Sequence, residues 1–230
     1  MYNDIIKNLK IPYNRPQKLS DPNKDFEQQE LEDIIHTKDC EMGFYELDCI
    51  FQGCLPAGSY EESAYFIPFA LLEISKHDDG LLDDFLRWVS ANKENIEKDD
   101  LLTPIMDYLV GIFQNYLSYY NIDEKSMYPE GGGYVTDFIS AVNEYFAFAA
   151  DNIIEKYFET IHCYAQAAWF FYLLDHYCNY HLFFKSNVID KLQFDNDKRR
   201  AAYDIICDKS MEDEKLLNYW DKFFSQCGMV

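Results

Sequence analysis

Basic residues are scarce in this chain: 20 Lys and Arg stand against 41 Asp and Glu, so 230 residues carry a net charge of −21. A surface of that sign repels phosphate backbones and anionic headgroups, which argues against nucleic acid and membranes as partners and for basic proteins. Structure breakers are scarce where they matter most, since neither glycine nor proline occurs between Thr136 and Lys185. No alternating strand pattern or internal repeat persists anywhere. The start, Met1-Tyr2-Asn3-Asp4, lacks the basic and apolar regions of a signal peptide. Seven cysteines, an odd number with no Cys-x-x-Cys spacing, argue for reduced thiols and a cytoplasmic protein. No continuous apolar run approaches the roughly 20 residues of a membrane span.

What is abundant is aromatic and apolar material. Hydrophobic residues make up 48% of the chain and aromatics 17%, too much for disorder to be the main state. The longest apolar stretch, Thr136 to Lys185, is expected to organise the fold. Phe138, Val142, Tyr145, Ala149, Ile153 and Tyr157 recur at helical spacing, and after Thr160 the sequence has almost no polar face. Two consecutive helices are predicted, with a break near Asp151–Asn152 or at Thr160. One straight helix of that length would span roughly 75 Å against a radius of gyration of about 17 Å.

Elsewhere, residues 1–24 read as a peripheral segment broken by Pro12, Pro16 and Pro22, with a short helix from Asn3 to Leu9. Helices are expected over Asp25 to His36 and Phe44 to Phe51, the latter stopping at Gly53. Ser59 and Glu62 have the spacing of a capping box, and Pro68 should kink or break the helix that follows. Further helices are expected from Asp78-Asp79-Gly80 to Asn92, from Thr103-Pro104 to Tyr120, from Asp195 to Lys209, and from a Ser210–Asp213 cap to Gly228. The last should bury Leu216, Leu217, Trp220, Phe223 and Phe224. Asn121 to Gly133 reads as a flexible loop and Val188 to Phe194 as a connector. The fold class is all-α: one multi-helix bundle of about eight to ten helices over residues 25–230, around a central apolar helix at about 160–184.

Catalytic signatures are weak. Glu159-Thr-Ile-His162 has Glu-x-x-His spacing, which on a helix puts both groups on one metal, but no second such pair exists; no metal or cofactor is expected. His162, His176 and His181 are the candidate lining of a ligand pocket, and polar groups in a buried helix more often satisfy one another. The strongest signal is the acids. Asp137, Glu144, Asp151, Glu155 and Glu159 fall in one narrow helical stripe where only Lys156 is basic, and Asp78, Asp79, Asp83 and Asp84 form a second cluster. A solvated face usually mixes signs, so a single-sign field suggests either a docking face or plain solubility.

The stretch Leu55-Pro-Ala-Gly-Ser-Tyr-Glu-Glu-Ser-Ala-Tyr-Phe-Ile-Pro68, in an acidic helical chain, resembles the small immunity proteins that bacteria encode beside toxins. That resemblance implies stoichiometric neutralisation of a basic toxin domain. The acids would steer the encounter, and Tyr60, Tyr119, Tyr120, Tyr128 and Tyr134 would serve as aromatic anchors. The alternatives are a helical enzyme or small-ligand or metal-binding protein with its pocket near the three histidines, and a helical adaptor or regulatory subunit.

Overall fold

The computed structural model describes residues 9–52, 56–76, 79–122, 129, 132–179 and 187–227. Among these are twelve α-helices and one 3-10 turn, Asp39–Glu41; the only strand-like pairing is an isolated antiparallel bridge between Ile122 and Pro129. The fold is therefore all-α, as expected. Among the described residues, no helix is long and apolar enough to cross a membrane. The chain divides into two compact units, Met1–Ile112 and Phe113–Val230.

The first unit holds α1 (Gln28–His36), α2 (Phe44–Phe51), α3 (Tyr60–Ala64), α4 (Ile67–Ile74), α5 (Asp79–Ala91) and α6 (Lys93–Lys98); α7 (Leu102–Tyr116) runs across the division. Its centre is α5, which turns Leu81, Leu82, Phe85, Trp88 and Val89 inward and packs on α2 and α4. Phe51 meets Phe85 and Trp88 edge-on at 5.2 and 5.0 Å. Residues 9–24 are irregular, as three prolines require, yet they are tied down. Leu9 and Leu19 are buried. The Arg15 guanidinium donates to the carbonyls of Ile35 and Thr37 and pairs with Asp39, capping α1 where the helix dipole is negative.

The capping box forms and does more than cap. Glu62 Oε2 accepts the Ser59 amide at 2.8 Å, and also the Ser20 amide at 3.0 Å and the Ser20 hydroxyl at 2.6 Å. Burial opposes ionisation of this carboxyl, but the bonds from Ser20 and Ser59 outweigh it and hold Glu62 below its ordinary value. Gly58 closes the turn at φ +95°, where a Cβ would stand 2.8 Å from Ser63 Oγ. Pro68 breaks the helix as predicted: α3 stops at Ala64, and α4 restarts with Pro68 in its first turn, where no intrahelical donor is needed.

The second unit holds α8 (Gly132–Tyr157), α9 (Tyr164–Asn179), α10 (Asn187–Gln193), α11 (Asn196–Ser210) and α12 (Glu214–Cys227). The predicted central helix is α9. Every residue from Ala167 to Leu174 is buried, and α9 packs against α10 and α11. A ring cluster fills the space around it. Tyr120 stacks on Trp220 at 5.9 Å and stands edge-on to Trp169 at 5.0 Å. Trp220 donates its indole N–H to the Tyr164 hydroxyl at 3.1 Å.

Several boundaries differ from expectation for identifiable reasons. Helix α7 ends at Tyr116 rather than Tyr120, and the carbonyls beyond it are taken by side chains: Leu117 accepts the Tyr157 hydroxyl at 2.7 Å and Tyr119 the Trp169 indole at 2.9 Å. The central stretch breaks around Thr160, the second of the two expected places, and not at Asp151–Asn152. Helix α8 kinks at Phe146 (φ −142°, ψ 60°) and continues to Tyr157. Helix α9 opens at Tyr164 rather than at Thr160, and Gln166 secures the junction by accepting the His162 amide at 3.1 Å and donating to the Tyr157 carbonyl at 3.2 Å. The 188–194 connector is helical, as α10. Ser210 is the buried last residue of α11, and Asp213 takes the capping role for α12, accepting the Lys215 amide at 2.9 Å. Leu217 is 41% exposed, while Tyr219 joins Trp220 and Phe224 in the interior, because the inward face of α12 runs through 216, 219, 220, 223 and 224, with Leu216 and Phe223 half-buried at its edges. Gly132 is no mere flexible link: it opens α8, and a Cβ there would lie 2.5 Å from the Tyr172 hydroxyl. The helix expected to begin at Asn3 lies, apart from Leu9, outside the described residues, as do the expected stops at Gly53 and Gly228.

Candidate functional site

The acidic residues of α8 face outward. Asp137, Glu144, Glu155 and Glu159 are exposed and Asp151 is half-buried. The inward positions Phe138, Val142 and Ile153 are buried, so the apolar periodicity that predicted the helix also pushes the acids into water. The ion pairs of the described residues lie elsewhere, and none involves Asp137, Glu144, Glu155 or Glu159. The expected single narrow stripe needs correcting, however. The kink at Phe146 interrupts the 100° register, leaving Asp137 and Glu144 on one helical piece and Asp151 and Glu155 on the next. Glu159 lies past the end of α8, and the Lys198 ammonium donates to its carbonyl at 3.2 Å.

The second acidic cluster is smaller than expected. Asp83 and Asp84 share Arg87, at 2.9 and 3.7 Å, so one of their two charges is offset locally. Asp78 and the side chain of Asp79 lie outside the described residues.

Of the five tyrosines, Tyr119 and Tyr134 are 48% and 42% exposed, and Tyr134 stands one turn before Asp137 on the same side of α8. Tyr120 is not an anchor. It is buried in the ring cluster, with its hydroxyl 3.0 Å from that of Tyr219, and burial is the first cause of its strongly raised pKa. Tyr128 lies outside the described residues.

Glu159 and His162 lie in the non-helical connection between α8 and α9, so their spacing no longer places them on one face. Among the described residues, no group of three or more His, Cys, Asp or Glu side chains is placed to hold a metal. His162 precedes α9 and His176 lies in its last turn; twelve residues of helix put about 18 Å between Tyr164 and His176, so the two histidines do not share a pocket. His176 is half-buried and 3.2 Å from the Tyr172 hydroxyl through Nε2, and burial depresses its pKa. His181 lies outside the described residues.

One site escaped the sequence reading. In the first unit, the Tyr13 and Tyr60 hydroxyls both donate to Oδ2 of Asp99, at 2.8 and 2.9 Å. Tyr60 stacks on Trp88 at 5.8 Å, and Tyr13 stands edge-on to Tyr60 at 5.8 Å. The bond to Asp99, with desolvation second, pushes the Tyr13 phenol up to about 12; for Tyr60, burial acts first and Asp99 second, in the same direction. Tyr13, Tyr60 and Asp99, with Glu61, Asn95 and Lys98, border a cavity of about 370 Å³. Residues 13, 60 and 99 have no shared periodicity, so only the fold brings them together. No protein-family model, curated protein or solved structure matches this chain.

Proposed function

We propose that the protein is a stoichiometric protein-binding module that presents the outer face of α8 to a basic partner. The observation that carries this reading is the exposure of Asp137, Glu144 and Glu155 with no ion-paired cation among the described residues. A same-sign face costs self-repulsion, and an opposite charge brought by a partner relieves it. Complementary charge speeds encounter and suppresses wrong partners, while exposed rings such as Tyr134 supply contact area. A toxin domain is the partner that the resemblance to immunity proteins implies, with the protein acting in the cytoplasm by covering or distorting the toxin's site.

The test is capture from the native host with wild-type protein and with an Asp137→Asn, Glu144→Gln, Glu155→Gln variant. The expected result is a basic partner whose association rate falls steeply between about 50 and 500 mM salt for the wild type and much less for the variant. A partner that binds both proteins equally at all salt concentrations refutes the docking face. Expressing the captured partner alone and together with this protein tests neutralisation: a partner harmless on its own refutes the toxin assignment.

A further inference from the structure

The cavity beside Tyr13 and Tyr60 has a chemistry of its own. Two carboxylates, Glu61 and Asp99, border it against one ammonium, Lys98. Among the described residues Lys98 forms an ion pair with neither, and one ammonium against two carboxylates leaves a net negative charge at the border. Asp99 is held from one side only: both phenols donate to Oδ2, and Oδ1 accepts no hydrogen bond among the described residues. The acceptors with spare capacity are Asp99 Oδ1, the Glu61 carboxylate, the second lone pairs of two phenol oxygens and the Asn95 carbonyl; the donors at the border are the Lys98 ammonium, the Asn95 amide nitrogen and the Ser59 hydroxyl. Tyr13 and Tyr60, at 87° to one another, form an aromatic corner against them.

We propose that this cavity binds the guanidinium of an arginine side chain presented by a peptide or protein. A guanidinium carries five donors and no acceptor, so it complements the two carboxylates and the phenol oxygens of a site whose net charge is negative. Its planar face suits a phenol ring and its forked edge suits a carboxylate, which a lysine ammonium matches less well. An anion meets the wrong charge here, and a purely apolar group strands the acceptors without partners. The volume of about 370 Å³ admits the head group together with part of its methylene stem. Trp88 holds Tyr60 in place from behind by stacking, and the shared carboxylate fixes both phenols, so the site is formed before anything enters it. The inference concerns the first unit and does not rest on the α8 face.

The test uses N-acetyl-arginine amide as the probe and N-acetyl-citrulline amide, its uncharged isostere, as the control. Binding is read by calorimetry and by the Trp88 indole N–H resonance of the full chain. The expected result is saturable binding of the arginine probe, at least about tenfold tighter than citrulline, the ratio for one lost charge-assisted hydrogen bond. Asp99→Asn should weaken the arginine probe by a similar factor. Glu61→Gln alters an exposed side chain and so leaves the fold intact; it should weaken binding about threefold or more, and Lys98→Ala should tighten it. Equal affinity for citrulline, an unchanged Kd in Glu61→Gln, weaker binding in Lys98→Ala, or no saturable Trp88 shift overturns the proposal. None of these outcomes bears on the salt dependence of the α8 face.

Discussion

Removing the charge of Glu62 tests whether one carboxylate holds the first unit's N-terminal segment to its capped turn. One oxygen, Oε2, accepts two backbone amides and a hydroxyl, from Ser59 and from Ser20 42 positions away. Hydrogen bonds to a charged group are worth about 1.5–3 kcal/mol each when buried, and neutral ones about 1 kcal/mol. Glu62→Gln keeps an acceptor oxygen but loses the charge, and half-exposed donors recover part of the loss from water. The net expectation is about 1–2 kcal/mol. Glu62→Ala strands all three donors and should cost about 2–4 kcal/mol. With a urea slope of about 2 kcal/mol per molar, the Gln variant should lower the midpoint by roughly 0.5–1 M at pH 7. The pH dependence follows from the direction of the shift. The folded pKa of Glu62 lies below its unfolded value of 4.5, so the stabilisation is fully present above that pH and is lost as pH falls through the folded value. The gap between wild type and Glu62→Gln should therefore be constant from pH 7 to about 5.5 and narrow on further acidification. Comparing the two proteins at each pH cancels the titration of the other carboxylates. A Gln variant as stable as wild type at pH 7, or a gap that widens in acid, would refute the reasoning.

Two further substitutions separate tight packing from open space at glycine. Gly132→Ala should destabilise by about 1–3 kcal/mol in a urea titration, because its Cβ would meet the Tyr172 hydroxyl at 2.5 Å, whereas Gly111→Ala, inside α7 with nothing within 4 Å, should stabilise by about 0.5–1 kcal/mol. Tyr120→Phe removes one member of a buried hydroxyl pair and should cost about 1 kcal/mol in thermal or urea unfolding while leaving partner affinity unchanged; a loss of affinity without a loss of stability would return Tyr120 to the interface.

Local chemistry was legible in the sequence to the extent that it is carried by neighbours in the chain. The Ser59–Glu62 box, the break at Pro68, the Asp195 cap and the uninterrupted burial of 167–174 all follow from spacings of three or four residues or from unbroken composition. What was not legible depends on distant partners. Helix α7 gives way after Tyr116 where Tyr157 and Trp169 capture the next carbonyls, and Tyr120 looked like a loop tyrosine until its ring found Trp220. Helix α6 was missed because six residues with one buried side chain, Ile96, contain too little periodicity to register. The kink at Phe146 has no proline or glycine to announce it, and it splits a pattern of acids that looks continuous on paper.

The same distinction bears on where the excess negative charge can act. Counting acids treats Asp83 and Asp84 as equal to Asp137 and Glu144, but Arg87, three and four residues away on α5, already lies between the first two. With one of their two charges offset by Arg87, the triad shows a partner a single net negative charge, and a partner would gain little by replacing Arg87. Asp137 and Glu144 have no such neighbour in the described ion pairs, so an incoming cation displaces only water and loosely held counterions. A charge-removal scan should therefore be uneven. Asp83→Asn with Asp84→Asn should leave the association rate of a basic partner within about twofold, while Asp137→Asn with Glu144→Gln should lower it several-fold at low ionic strength, an effect that vanishes near about 500 mM salt. Equal losses from the two pairs would mean that total charge, rather than its local compensation, governs encounter, and would remove the reason for placing the docking face on α8.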